Sequence, residues 1–211
     1  MTIRKPDNSL SAPNTVILKK GTVLERIHSR NFQANSFNPC KGNPTRFALI
    51  KDGNGQCVPS LYAGETFEAA VFETIFHDVP AKAKHKRVPR RKIEDSAQGR
   101  LEVGRDLMLV SLREPDLRRW HITRNQLIAT SPKLYAGTVQ WAEAIHLQFS
   151  NVEGLAWTSN QCDPDTVYLF FGDRVQSGDF NVIHTRDGLV DPRFLLDVSR
   201  IEKRSGINVT V

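Results

Sequence analysis

Residues 58–80 read VPSLYAGETFEAAVFETIFHDVP, and the change of period inside them points to the fold class. Leu61 and Tyr62 end an extended run, Ala63-Gly64 makes a turn, and a helix is predicted from about Thr66 to His77. Thr66 suits the N-cap and Glu68 the positive end of the helix dipole. The helix is apolar nearly all round through Phe67, Ala69, Ala70, Val71, Phe72, Ile75 and Phe76, so it is expected to be buried. Glu73 interrupts it, with Ala69, Ala70, Phe76 and His77 three and four residues away. A carboxylate among such neighbours is costly to desolvate unless it is paired, hydrogen-bonded or turned to a cleft. Glu73 is therefore the first candidate for chemistry, set against a plain solvent-facing or salt-bridged glutamate.

Outward from this stretch, strand and helix signals alternate. Thr22–His28 (TVLERIH) reads as a strand that puts Arg26 and His28 on one face. Leu107–Leu112 is a short apolar run bounded by Asp106 and Arg113, which suits a buried strand. Thr138–Phe149 carries Trp141, Ala144, Ile145 and Gln148 at helical spacing, and His146 on it reads as structural. Gly154–Trp157 and Val167–Phe171 read as strands joined by a polar link at 159–165. Asp191-Pro192 caps a last helix to about Arg204, stopped by Gly206. The pattern is that of an α/β or α+β domain. The turn-rich stretch 29–43 is expected to be a functional or mobile loop. Residues 1–20 are expected as a poorly ordered lead-in, with one domain over 21–211. Leu117–Ile128 is left open.

The chain has 211 residues, 39% hydrophobic and 25% charged, which fits one folded domain with a sizeable core. Lysine and arginine total 29 against 23 acidic residues, a net +6 that favours anionic partners without choosing among them. Eight of the cations fall between Lys82 and Arg100. They read as a solvated basic loop, or as an electrostatic patch for nucleic acid or an acidic partner; no aromatics are interleaved for base stacking. No run reaches a membrane span, and the N-terminus lacks the apolar core of a signal peptide. Cys40, Cys57 and Cys162 form no CxxC pair; they are expected as reduced thiols of a cytoplasmic protein, with no metal site. The glycine-rich dinucleotide fingerprint and the Walker motif are both missing, which disfavours Rossmann and P-loop nucleotide enzymes.

Four pieces stand in order: Glu25-Arg26-Ile27-His28, Pro44-Thr45-Arg46-Phe47, SLYAGETFEAAVFETIFHDV at 60–79, and GLAWTSNQCDPDTVYLFFGDRV at 154–175. Together they resemble the RES-domain family, named for an arginine, a glutamate and a serine. The likeness runs over about 24–175, with the FNP, RF and ETIFHDV wording in place of a GGRWN segment. The resemblance implies an α+β single domain similar to the ADP-ribosyltransferase toxin fold, with mixed sheets and flanking helices. It implies the toxin of a type II toxin–antitoxin system, which degrades NAD+ at the nicotinamide–ribose bond by hydrolysis or phosphorolysis. NAD+ is then a consumed substrate, inorganic phosphate a co-substrate in the second case, and no cofactor is recycled. The implied partner is an Xre-like antitoxin with a DNA-binding helix-turn-helix, and the implied assembly a homodimer; direct nucleic-acid binding is not expected.

The resemblance places the triad at Arg26, Glu73 and Ser159 as catalytic residues, with Arg46 and Tyr62 lining the pocket. The chemistry is compatible. Guanidinium groups at Arg26 and Arg46 suit a pyrophosphate. A glutamate suits the oxocarbenium character that develops on ribose as the glycosidic bond breaks. Tyr62 offers a ring for nicotinamide and a hydroxyl to orient it. Ser159 is read as a hydrogen-bonding residue, since no nucleophile elbow or His–Asp relay surrounds it. His28 shares the face of Arg26 and is read as substrate-binding, against a packing role. Two alternatives accompany this reading: an ADP-ribosyltransferase acting on a protein or nucleic acid, and a non-enzymatic basic module using Lys82–Lys92.

Overall fold

The computed structural model describes residues 3–80 and 82–210. Strand β3 spans Ser60–Gly64 and turns at once into helix α1, Phe67–Phe72. A Cβ on Gly64 would meet Ala70 N at 3.0 Å and Thr66 O at 3.2 Å, so only glycine lets strand and helix come this close. Thr66 caps α1, its Oγ1 accepting from Ala69 N at 3.1 Å. The helix is shorter than predicted. Glu73 is its C-cap rather than an interior residue, and the carbonyl of Val71 then accepts from Ile75 N at 2.8 Å and Phe76 N at 3.1 Å. The β-branched pair Thr74-Ile75 follows the cap, where continued helix is less favoured. The wide turn still buries Ile75 and Phe76 as expected.

The other strands are β1 Thr15–Leu18, β2 Val23–Ser29, β4 Arg87–Pro89, β5 Ser96–Val103, β6 Leu107–Ser111, β7 Gly154–Thr158, β8 Thr166–Phe171, β9 Phe180–Asp187 and β10 Asn208–Thr210. Seven of them join β3 in one mixed sheet in the order β1-β6-β7-β8-β3-β2-β5-β9, parallel only between β6 and β7. A parallel pair β4–β10 stands apart. Between β2 and β3 the pairing shrinks to Glu25 opposite Gly64, so the sheet opens there. The helices are α2 Arg90–Glu94, α3 Glu114–Leu117, α4 Arg124–Leu127, α5 Tyr135–Gln148 and α6 Pro192–Ser205.

Alternation along the strands divides the core. Val110, Leu155, Trp157, Leu169 and Phe171 face Trp141, Ala142 and Ile145 of α5. The intervening residues Leu109, Ala156 and Phe170 join Leu24, Leu61 and Leu101 in a cluster without helical residues, because the sheet curls onto itself. Ile27, Val71, Ile75 and Phe76 pack with Phe194, Val198 and Ile201 of α6. The expected α+β domain with a mixed sheet and flanking helices is thus observed. Helix α6 has the predicted cap, with Asp191 accepting from Arg193 N and Phe194 N, and the predicted stop, Gly206 at φ 65°. Leu117–Ile128 resolves into the end of α3, a 3-10 turn and α4 with a Thr123–Gln126 capping box.

Three expectations are corrected. The lead-in is tied down where it is described: Trp141 Nε1 donates to Arg4 O at 2.7 Å, Trp120 Nε1 to Ser11 O at 2.9 Å, Leu10 is buried, and β1 pairs with β6. Indole N–H groups inside a core need acceptors, and this segment supplies them; Met1 and Thr2 lie outside the described residues. The basic stretch is a loop only over 82–86, with Lys82, Lys84 and Lys86; beyond it the chain forms β4, α2 and β5, and pairs Arg90 with Glu94, Arg91 with Asp95 and Lys92 with Asp78. Ala81 at its start lies outside the described residues. Cys40 and Cys57 are joined in a disulfide, leaving Cys162 as the free thiol; distant in sequence, the two are brought together where Lys51 bridges Cys57 and Asn38 bridges Ser60. Among the described residues no helix is long and apolar enough to cross a membrane.

Candidate active site

Both ends of α1 are held by one loop, the polar link between β7 and β8. At the N-terminus the Thr66 hydroxyl donates to Asp165. At the C-terminus Ser159 Oγ donates to Glu73 Oε1 at 2.7 Å, and Asn160 N approaches the same oxygen at 3.3 Å. Ser159 is fully buried, and its hydroxyl also accepts from Gln161 N at 3.2 Å and Cys162 N at 3.0 Å. Ser159, which the resemblance places in the catalytic triad, holds the carboxylate of Glu73 and is not among the residues that line the cleft. Glu73 itself is half-buried.

The carboxylate faces a cavity of about 780 Å³, beside the place where β2 and β3 part. That size is in the range of small-molecule sites, roughly 300–1,000 Å³. Tyr62, Trp157 and Tyr135 supply aromatic walls, and Arg46, Lys133 and His77 the basic groups. Tyr62 OH bonds with Thr45 Oγ1 at 2.9 Å and accepts from Phe47 N at 3.1 Å, which pins the 43–47 segment to β3. Burial pushes its phenol up to about 12 against those two hydrogen bonds, so it is a neutral hydroxyl at physiological pH. Its ring meets the Trp157 ring edge-on at 6.1 Å. Arg46 is buried, donates from Nη1 to Thr130 Oγ1 at 3.0 Å, and lies over the Tyr135 ring at 5.3 Å.

Arg26 and His28 share a face, as predicted, but it is the face of β2 turned away from the cavity; Ile27 between them lines it. Arg26 Nη1 donates to Ala34 O at 2.6 Å and Ser36 O at 2.7 Å, anchoring the segment after β2. Burial lowers the guanidinium to about 10, which leaves it cationic. His28 Nδ1 contacts Ser29 O at 2.9 Å, and its Nε2 has no partner among the described residues. Burial above all lowers its pKa and favours the neutral ring. The structure therefore gathers Glu73, Ser159, Tyr62 and Arg46 and leaves Arg26 and His28 apart. Sequence reasoning missed His77 and Tyr135, whose side chains meet at 2.9 Å (Tyr135 OH to His77 Nε2). His77 stands four residues after Glu73, which was a usable signal; Tyr135 opens a helix with no local sign of its role. Among the described residues no group of three His, Cys, Asp or Glu side chains is placed to hold a metal.

Fold and site define an α+β domain with one glutamate, fixed by a serine-bearing loop, in an aromatic cleft edged with cations. The chain belongs to the RES-domain family, whose model matches residues 23–190. That span contains the likeness expected over 24–175. A chain of the crystal structure of the M. tuberculosis MbcT–MbcA toxin–antitoxin complex is similar in fold, with a TM-score of 0.61 and 12% sequence identity. The alignment covers 85% of this chain and 90% of that one. At that identity the likeness speaks to fold alone. No functionally curated protein matches the chain.

Proposed function

We infer that this protein is the toxin of a toxin–antitoxin pair and that it breaks the nicotinamide–ribose bond of NAD+. Membership of the RES family and a fold shared with a chain of a toxin–antitoxin complex support the first part. The observation that carries the second is Glu73, aimed into the cleft and held by Ser159 Oγ and the Asn160 N–H. As the glycosidic bond lengthens, positive charge grows on the ribose, and a fixed carboxylate stabilises it without having to reorganise. Nicotinamide leaves as a neutral ring, so the leaving group needs no acid. Tyr62, Trp157 and Tyr135 offer faces and edges for the pyridinium. Arg46 commits Nη1 to Thr130, and the rest of its fork, with Lys133, suits the pyrophosphate. Ser159 serves as a positioning residue, and Arg26 supports the fold of the 34–36 segment.

The acceptor is water or inorganic phosphate; ADP-ribosyl transfer to a macromolecule needs the same pocket. The test is NAD+ consumption by wild type and Glu73→Gln, with and without phosphate, using labelled NAD+. Nicotinamide release by wild type alone supports the reading, and dependence on phosphate separates phosphorolysis from hydrolysis. Label retained on protein or nucleic acid moves the assignment to a transferase. An untouched NAD+ pool after any partner has been removed overturns it. The partner we infer is an Xre-like antitoxin covering the cleft mouth, with a homodimeric toxin; co-purification with the product of the neighbouring gene tests the pairing.

A further inference from the structure

A hydrogen-bonded chain runs along the cleft wall beside Glu73. Lys92 Nζ donates to Asp78 Oδ2 at 2.9 Å, Asp78 Oδ1 meets His77 Nδ1 at 2.9 Å, and His77 Nε2 meets Tyr135 OH at 2.9 Å. His77, Asp78 and Tyr135 all line the same cavity as Glu73. The order of donors follows from chemistry. Lys92, then His77, hold the Asp78 carboxyl below its ordinary value, so it is an ionised acceptor. With His77 as the neutral ring, its proton then sits on Nδ1 facing Asp78, which leaves Nε2 as an acceptor and makes the Tyr135 hydroxyl the donor. The free lone pairs of the Tyr135 oxygen are left for a ligand. The backbone is braced to match: Gln161 Nε2, from the loop that holds Glu73, donates to His77 O at 3.0 Å. Arg46 over the Tyr135 ring fixes its plane.

Building on the NAD+ reading, we propose that Tyr135 is the general base for the attacking water, acting with His77 and Asp78 as its proton relay. Water forms its bond to ribose C1′ as the C1′–N bond breaks and its electron pair returns to the pyridinium ring. The water proton passes to the Tyr135 oxygen while the Tyr135 proton passes to His77 Nε2. The resulting imidazolium is stabilised by Asp78 and returns its proton to solvent. Nothing is oxidised or reduced, and the products are ADP-ribose, nicotinamide and one proton. Burial first of all, opposed by Arg46 and aided by Glu73 and Asp78, keeps the Tyr135 phenol above its ordinary value, so it enters the step as a hydroxyl. Tyr135 touches the reacting water; His77 and Asp78 are positioning residues.

A relay of this kind is needed for water and dispensable for an anionic nucleophile with no proton to lose, which gives a test that a structural role cannot imitate. Nicotinamide release is measured in phosphate-free buffer for wild type, Tyr135→Phe and His77→Gln, with and without azide. Removal of general-base help is expected to lower kcat by about 10²–10⁴-fold, with little change in KM. Azide should restore release in both variants and yield ADP-ribosyl azide. Wild-type rates in the variants overturn the relay, as does a loss that azide fails to restore; in either case active wild type leaves the NAD+ reading intact. Wild type that releases nicotinamide only once phosphate is added overturns the water relay and keeps the NAD+ reading; wild type that releases none in either buffer overturns both.

Discussion

Replacing Ser159 with alanine removes one oxygen and three interactions: the donation to Glu73 Oε1 at 2.7 Å and the acceptance from Gln161 N and Cys162 N. A hydrogen bond to a charged group contributes about 1.5–3 kcal/mol, and a buried donor left unpaired costs about 1–3 kcal/mol. The site is fully buried, so water does not replace the hydroxyl freely. Loop relaxation recovers part of the loss, and a net destabilisation of about 3 kcal/mol is expected. In a chain of this size each kcal/mol moves Tm by about 2–4 °C, so Ser159→Ala should melt about 6–12 °C lower. Nicotinamide release should also fall by about 10–100-fold, the equivalent of about 1.4–2.7 kcal/mol of lost positioning. Glu73→Gln is the matched comparison. Its amide oxygen still accepts from Ser159, so it should melt close to wild type while losing activity far more completely. Scanning calorimetry beside a nicotinamide assay reads both quantities. A Ser159→Ala protein that melts and turns over like wild type would refute the argument that this hydroxyl holds the carboxylate.

Tyr62 gives an alkaline signature. Its phenol ionises at about 12 in the folded chain against 10.0 for the ordinary group, so above pH 10 the unfolded state binds fewer protons and stability falls until the folded phenol also ionises. Chemical denaturation between pH 9 and about pH 12 should show a shallower loss in Tyr62→Phe than in wild type. Thiol titration of the denatured, unreduced protein should count one free cysteine, Cys162, and three would contradict the Cys40–Cys57 bond. Deleting residues 3–12 removes the acceptors of two core indoles and the burial of Leu10. At about 1 kcal/mol per hydrogen bond and about 1.5–3 kcal/mol for the leucine, the truncated chain should lose about 3–5 kcal/mol in urea unfolding.

Local pattern was enough to place most elements. Apolar runs and turn residues located β2, β6, β7, β8 and α6, because hydrophobic period and capping are properties of neighbours in the chain. The glutamate was legible for a related reason: a carboxylate inside an apolar run has few inexpensive places to go. Family wording added the fold and put Glu73 and Ser159 in one site; the bond between these residues, 86 positions apart, is one that no local rule predicts. Tertiary structure alone decided the rest. It ended α1 at Glu73 instead of His77, since the far end of that helix is set by contacts with the 159–165 loop. It turned Arg26 and His28 away from the cavity, because the two faces of β2 are equivalent until the sheet curls and α1 covers one of them. It also brought Tyr135 to His77 from a helix 58 residues later, a proximity set by packing rather than by sequence.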